Sequence, residues 1–394
     1  MKPGLGQAMV GIAILAVALG TPRSSPASDL RIHGLLDVVA AERSEAHDLN
    51  RLTRGDSSFD PYGLRLFIDA QATNRLAVYS QFVLRDATTP YVDGAYLLWS
   101  PLPSHDAHVL AGKIPWPIGT YAPRTYSNHN PLIGTPLMYQ YHTTLLWYEI
   151  PPSADALLAT AGSGQRGVNY EGYTEGFGMP IIDDSYWDVG VTLTGSERPI
   201  EYALGMTAGT PGWPSTGKDE NSGKTVLGRV GLAPLPGLRF GVSGAYGPYL
   251  IEDLNPELPP GKDATDYHQK LRMADVEILV GHLEVRGEGA TNTWETPTVG
   301  NLDVKAGYLE GQYAFAFGGF VGGRVDRMRF GDIADSTGAL HSWDSNVDRF
   351  EIGSGYHFDR NVLLKLVYQS MRLHQSSGTY RRLSLFAAQA SISF

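Results

Sequence analysis

Leu383-Ser384-Leu385-Phe386-Ala387-Ala388-Gln389-Ala390-Ser391-Ile392-Ser393-Phe394 is the stretch that decides the fold. Counted back from Phe394, the residues Ile392, Ala390, Ala388 and Phe386 fall on one side. Ser393, Ser391, Gln389 and Ala387 fall on the other. A period of two with unlike faces is a β-strand that separates two environments. The apolar face carries an aromatic near each end, and no turn residue follows Phe394.

The same grammar recurs upstream. Val362, Leu364, Leu366 and Tyr368 alternate with Lys365 and Gln369. Phe350, Ile352, Ser354, Tyr356 and Phe358 alternate with Arg349, Glu351 and His357. Leu283 and Val285 alternate with His282, Glu284, Arg286 and Glu288, and Leu64, Leu66, Ile68 and Ala70 with Arg65, Asp69 and Gln71. The predicted strands are 30–41, 62–73, 75–85, 91–100, 106–114, 185–196, 199–210, 224–233, 237–247, 269–280, 281–290, 302–315, 317–330, 346–358, 361–373 and 382–394. That is about sixteen, an even number. Short and long connections alternate between them, the long ones at 42–61, 86–90, 115–184, 211–223, 248–268, 291–301, 331–345 and 374–381. Short turns at one rim and long loops at the other are the asymmetry of a transmembrane antiparallel β-barrel. Leu137–Tyr148 within the longest connection leaves eighteen strands open.

Composition agrees. The 394 residues are 42 % hydrophobic and 18 % charged, with 46 Gly, 21 Tyr and no Cys. There is no disulfide framework and no thiolate chemistry. A formal charge of −10 argues against a nucleic-acid partner. At the start, Lys2, the apolar run Ala8–Gly20 and the small residues Ser25-Pro26-Ala27 read as an export signal over 1–27, with a membrane anchor as the other reading. Residues 28–394 are then the barrel, and no later segment reaches the length of a spanning helix.

The terminal strand ending at Phe394 resembles that of Gram-negative outer-membrane barrels, where the last aromatic is part of the signal read by the barrel assembly machinery. Further stretches resemble the phosphate-selective porin O/P group: Gly112-Lys113-Ile114-Pro115-Trp116-Pro117-Ile118-Gly119, Ala274-Asp275-Val276-Glu277, Gly281 to Glu288, Gly323-Arg324-Val325-Asp326-Arg327, and Asn361 to Tyr368. The resemblance covers most of the chain in short motifs. It implies a porin-like barrel in outer-membrane lipid, commonly a homotrimer, with one long loop after the fifth strand folded into the lumen. It does not carry phosphate specificity, which rests on a lysine-rich lumen that this sequence lacks.

If the polar faces point inward, the candidate pore-lining or constriction residues are Lys113, Arg124, His129, His142, Asp183, Asp184, Arg239, Asp275, Glu277, Glu284, Arg286, Glu288, Arg324, Asp326, Arg349, Glu351 and Lys365. Acids and bases nearly balance, which suits a hydrated pore of weak selectivity for small hydrophilic solutes or ions. The competing reading for each is a cross-strand ion pair in the wall, strongest for Arg286 with Glu284 and Glu288. No His or Asp cluster has metal-ligand spacing, and no cofactor motif is present. Two rival functions remain: a barrel that sheathes a periplasmic or extracellular partner such as an electron-conduit cytochrome, which needs an open lumen, and a barrel enzyme with a Ser/His or Asp/His pair at a rim.

Overall fold

The predicted alternation closes into one antiparallel barrel in the computed structural model, which describes residues 29–394 apart from 46, 48, 50–58, 85–89, 103, 165–177, 185, 216 and 375–378. The proposed signal 1–27 and residues Arg85, Arg166, Glu171 and Tyr173 lie outside the described residues. The barrel strands are β1 (Asp29–Arg43), β2 (Phe59–Thr73), β3 (Leu76–Leu84), β4 (Pro90–Trp99), β5 (Asp106–Pro115), β6 (Trp187–Glu197), β7 (Ile200–Thr207) and β8 (Thr225–Leu235). They continue as β9 (Leu238–Pro248), β10 (His268–Val280), β11 (Leu283–Thr296), β12 (Gly300–Ala314), β13 (Gly319–Phe330), β14 (Val347–His357), β15 (Val362–His374) and β16 (Tyr380–Ser393).

Each strand pairs with its sequence neighbours, and β16 pairs back onto β1. At that seam Leu36 stands opposite Ile392 and Ala40 opposite Ala388. Closure leaves no sheet edge, which is the condition for strands to cross a membrane. The ring of Phe394 lies over Gly34, where an added Cβ would come within 2.1 Å of it. A side chain at Gly34 would therefore displace the terminal aromatic from the seam.

The number of strands is sixteen. Leu137–Tyr148 adds none: Leu137–Gln140 is a single helical turn, and the rest of the segment runs as coil. A short hairpin, Asp332–Ala334 with Leu340–Ser342, sits outside the barrel in the connection between β13 and β14. The strict long-and-short alternation of connections fails at two places: residues 85–89 between β3 and β4 are fewer than 100–105 between β4 and β5, and the connection after β11 is short. β11 runs to Thr296, so only residues 297–299 join it to β12. Those last residues alternate with the senses exchanged, the polar Thr291, Thr293 and Glu295 outward and Trp294 inward, so their pattern did not read as more of the same strand.

The two faces divide as the terminal strand foretold. Phe386, Ile392 and Phe394 are exposed on the outside, whereas Ala387, Gln389 and Ser391 are buried inside. Phe350, Ile352, Leu364, Leu366 and Tyr368 extend the exposed apolar belt around the wall. From Phe386 to Phe394 the belt is about 20–25 Å tall, taking about 3.4 Å per residue and the usual strand tilt. So broad an apolar surface belongs in hydrocarbon rather than water. Among the described residues, no helix is long and apolar enough to cross a membrane.

Removing Ile392–Phe394 takes away the last rungs shared with β1 and β15. Refolding of that variant into detergent is expected to give less than about half the yield of compact, heat-modifiable barrel, because closure removes the edges a barrel must hide. An undiminished yield would show that the seam does not govern closure.

Candidate functional site

The described residues of the chain between Pro115 and Trp187 fold into the barrel and are bound there by the inward side chains of the wall. Lys365 on β15 is the clearest case. Its ammonium is buried and donates to the carbonyls of Ser127 (2.8 Å), Asn130 (3.0 Å) and Leu132 (2.9 Å). Arg349 on β14 donates to the carbonyl of Thr135 (2.6 Å) and to Gln140 Oε1 (2.7 Å). Asp326 on β13 accepts from the N–H of Leu137 (2.8 Å). A buried loop backbone must find partners for its N–H and C=O groups, and here the wall supplies them.

The approach is close because the loop is locally bare. Gly119 has φ +62°, and an added Cβ there would stand 2.6 Å from Glu288 Oε1. Its N–H donates to Ser243 (3.0 Å), and the next N–H, of Thr120, donates to Glu288. Tyr139 also donates to Glu288. Further along, Leu132 and Ile133 pack as an apolar knob against Val39, Val367, Leu385 and Ala387. Ser127 donates to Asp37, and Tyr126 donates to Gln81 (2.7 Å), so the loop is held on the β1 and β3 side too.

A buried ionic lattice stands behind these contacts. Arg324 pairs with Glu310 (3.1 Å), Asp326 (3.3 Å) and Glu351 (2.5 Å), Arg349 with Asp326 (3.1 Å), and Arg286 with Glu310 (2.6 Å) and Glu284 (3.0 Å). Three guanidinium groups thus meet three fully buried carboxylates, and each charge has a partner of opposite sign. Above this level the interior is mainly apolar, with Tyr141, Trp294, Trp343, Met328 and Phe330 in one cluster with the loop's aromatics. Asp344, in the connection between β13 and β14, accepts from Tyr141, Thr144, Gly162 and Ser345 and fixes the loop there. Burial raises the Asp344 carboxyl to about 6 against the downward pull of its four hydrogen-bond donors.

What the loop leaves open is a cavity of about 930 Å³ on the β4–β10 side, reaching strand ends beside the short turns. Its lining includes Arg124, His129, Glu201, Arg229, Arg239 and Glu277. Arg124 pairs with Glu277, Arg229 with Asp275 (2.7 Å) and Glu201 (3.3 Å), and Arg239 with Glu201 (3.4 Å). Arg239 is the most exposed of these cations, at 57 % of its side chain.

The candidate residues therefore part into groups. Arg124, His129, Arg239 and Glu277 line the cavity. Asp275, Arg286, Glu288, Arg324, Asp326, Arg349, Glu351 and Lys365 are buried anchors, with Glu284 at their edge. His142 is buried within the loop against the carbonyl of Gly178 (2.6 Å), and Asp183 and Asp184 lie where the loop returns to β6. Lys113 is corrected: it stands in register with Ala95 and the exposed Val189, on the outer row, and donates to the carbonyl of Val92 (2.7 Å). The register with both neighbouring strands runs through Gly112 (φ +128°) without a shift. Glu288 is also corrected, because it holds the loop through Thr120 and Tyr139 rather than forming an ion pair with Arg286.

The sequence reading passed over His108. Its Nδ1 lies 2.8 Å from Ser100 Oγ and its Nε2 2.8 Å from Asp106 Oδ1. The three types are those of a hydrolytic triad, within hydrogen-bond reach at the short-turn rim. The acid is 60 % exposed, and the N–H of Ser100 is already given to the carbonyl of Arg75 (2.8 Å). The serine's own amide is thus spent, and the three residues tie the β4–β5 turn.

No family pattern matches the chain, and no curated protein matches it. Solved structures do. An anion-selective porin from Comamonas acidovorans superposes with a TM-score of 0.58 at 10 % identity, over 93 % of this chain and 100 % of that one. OmpT, an outer-membrane protein of Vibrio cholerae solved in trimer form, gives 0.55 at 12 % identity over 93 % and 100 %. The outer-membrane channel DcaP of Acinetobacter baumannii gives 0.55 at 9 % identity over 95 % and 100 %. At these identities the likeness is one of fold.

Lys365→Met removes one cation and leaves three buried carbonyls without a donor. The expected cost is on the order of 3 kcal/mol. Hydrogen exchange over residues 127–132 should quicken while the strands stay protected. Unchanged protection there would show that Lys365 does not hold the loop.

Proposed function

We propose that the protein is a passive channel for small hydrophilic solutes or ions in the outer membrane of a Gram-negative bacterium. The observation that carries this reading is a closed barrel with an apolar outer belt, a polar inner wall, and a loop hydrogen-bonded across the lumen beside a charged cavity. The belt fixes the barrel in lipid. The loop takes most of the cross-section, so the segment 115–184 is the constriction, and solutes pass along the β4–β10 side where water and charge remain. Exclusion is by size, with local charge as a bias. Wall cations and carboxylates of the cavity are paired, so the field along the path is small and selectivity is weak.

The same reading includes export through the 1–27 segment, insertion by the barrel assembly machinery through the strand ending at Phe394, and assembly as a homotrimer, the form in which the structurally similar OmpT has been solved. The sheath reading loses ground. A barrel wrapped around a protein partner needs an unobstructed lumen, and here wall groups on β1, β3, β9 and β13–β15 are committed to the loop.

Two measurements test the channel. Excising residues 120–183 for a short Gly-Ser linker should raise single-channel conductance in a planar bilayer at least about twofold, since a pore conducts through its narrowest section. Equal conductance would remove the loop from the path. Arg239→Glu reverses the most exposed cavity cation, so the reversal potential under a salt gradient should move toward cation preference, by about 5–15 mV. No movement would place the ion path elsewhere.

A further inference from the structure

We infer that the outer wall of β12–β16, at the long-loop end, binds the phosphates of a phosphorylated glycolipid in the outer leaflet. The inference rests on the outer-membrane reading above.

The apolar belt stops abruptly on this side. Continuing the outward rows toward the long loops, Leu309 and Val325 give way to Lys305, Arg327 and Arg329, and Tyr368 and Phe386 give way to Arg372 and Arg382. Two of these rows place like charges face to face on adjacent strands. Lys305 stands opposite Arg329, and Arg372 opposite Arg382. Directly opposed like charges destabilise a sheet unless something anionic lies between or over them. The protein supplies two nearby carboxylates: Asp348, already shared among Arg327 (2.9 Å), Arg329 (2.6 Å) and His374 (3.0 Å), and Asp303, two residues from Lys305 on the same row, which accepts from Thr293. Asp348 also stands opposite Arg372 in register, but it is turned to its three other partners, and among the described residues Lys305, Arg372 and Arg382 form no ion pair. A chain of formal charge −10 thus concentrates cations on one stretch of its outer wall.

The wall is also concave there. A groove of about 880 Å³ runs between β12 and β15, floored by Gly307 and Ser370. Its lower part is apolar, with Leu309, Val325 and Phe350, and its upper part carries four cations, Lys305, Arg327, Arg329 and Arg372, against the single carboxylate of Asp348. That polarity, oil below and charge above, is the polarity of a membrane amphiphile standing in the leaflet. The cationic rows of β12 and β15 are three strand spacings apart, about 14 Å. A headgroup carrying two phosphates spans that distance, whereas one phosphate reaches a single row. Arginine suits the role because its planar fork binds phosphate oxygens in pairs.

The test uses the refolded mature chain in detergent and follows binding by native mass spectrometry. The probes are diphosphorylated lipid A, its dephosphorylated form and inorganic phosphate. The variants are Arg372→Gln/Arg382→Gln and Lys305→Gln. All three positions face outward and none touches the cavity. Diphosphorylated lipid A is expected to bind the parent protein at least about tenfold more tightly than the double variant, the loss of two charge-assisted contacts. The dephosphorylated lipid should not distinguish the two, and millimolar inorganic phosphate should not displace the lipid. Arg372→Lys/Arg382→Lys should restore most of the binding. Equal binding by parent and glutamine variants would overturn the inference, and so would displacement by inorganic phosphate, which marks a free-anion site. If the double variant fails to refold, Lys305→Gln alone must still weaken binding. Conductance is recorded on the same samples: lipid binding without channel steps would sink the channel and leave the lipid site standing.

Discussion

A backbone that enters a closed barrel must find hydrogen-bond partners there, and this need shapes the interior. The loop after β5 carries bare carbonyls at Ser127, Asn130, Leu132 and Thr135 into the lumen. Lys365 and Arg349 receive them. Burying those cations requires carboxylates, and carboxylates buried in turn require further guanidinium groups. The lattice Arg286–Glu310–Arg324–Glu351, with Asp326 and Arg349 beside it, is the result. Such a lattice is not strong evidence for stability, since desolvation offsets much of its attraction. Its effect is positional: removing one member strands charges that no water can reach, so the loop has one seat.

That seat explains why charge on an inward face did not mean charge on a pore. Alternation placed Arg324, Asp326, Arg349, Glu351 and Lys365 on the polar side of their strands, and they are there. Their being buried follows from the loop lying against them, a contact between segments 189 to 238 residues apart that no local spacing encodes. Arg239 and Glu277 also face inward, on β9 and β10, and stay beside the cavity, because the loop reaches this pair through Arg124, which pairs with Glu277. What separates a dry anchor from a wet lining is the loop's path alone.

The fold itself was legible because lipid and lumen impose opposite chemistry on alternate residues. Sixteen strands could be drawn within a few residues wherever the belt lies between the rims. Legibility ended where the belt ended. Near the long loops the outer rows turn polar and the inner rows apolar, so β11 looked finished at 290 although it continues to Thr296. The alternation persisted there, but its sign had reversed. Lys113 was misplaced for a different reason: its charge suggested an inward face, whereas unbroken alternation puts it on the outward row with Val109 and Ala111.

The reversal of sign has a physical origin at both faces. Inside, the loop and its aromatics exclude water, so Met371, Leu373 and Leu383 point inward to cover Tyr141, Trp294 and Trp343. Outside, the same level lies beyond the hydrocarbon belt, where apolar side chains gain nothing and charged ones keep their solvation or meet headgroups. Met371-Arg372-Leu373 shows both demands in three residues, its arginine outward between two buried apolar neighbours. A barrel with an empty upper lumen would have no need of the inner half of this exchange. The loop therefore determines which residues line the passage and also the hydrophobic sequence pattern of the strands that surround it.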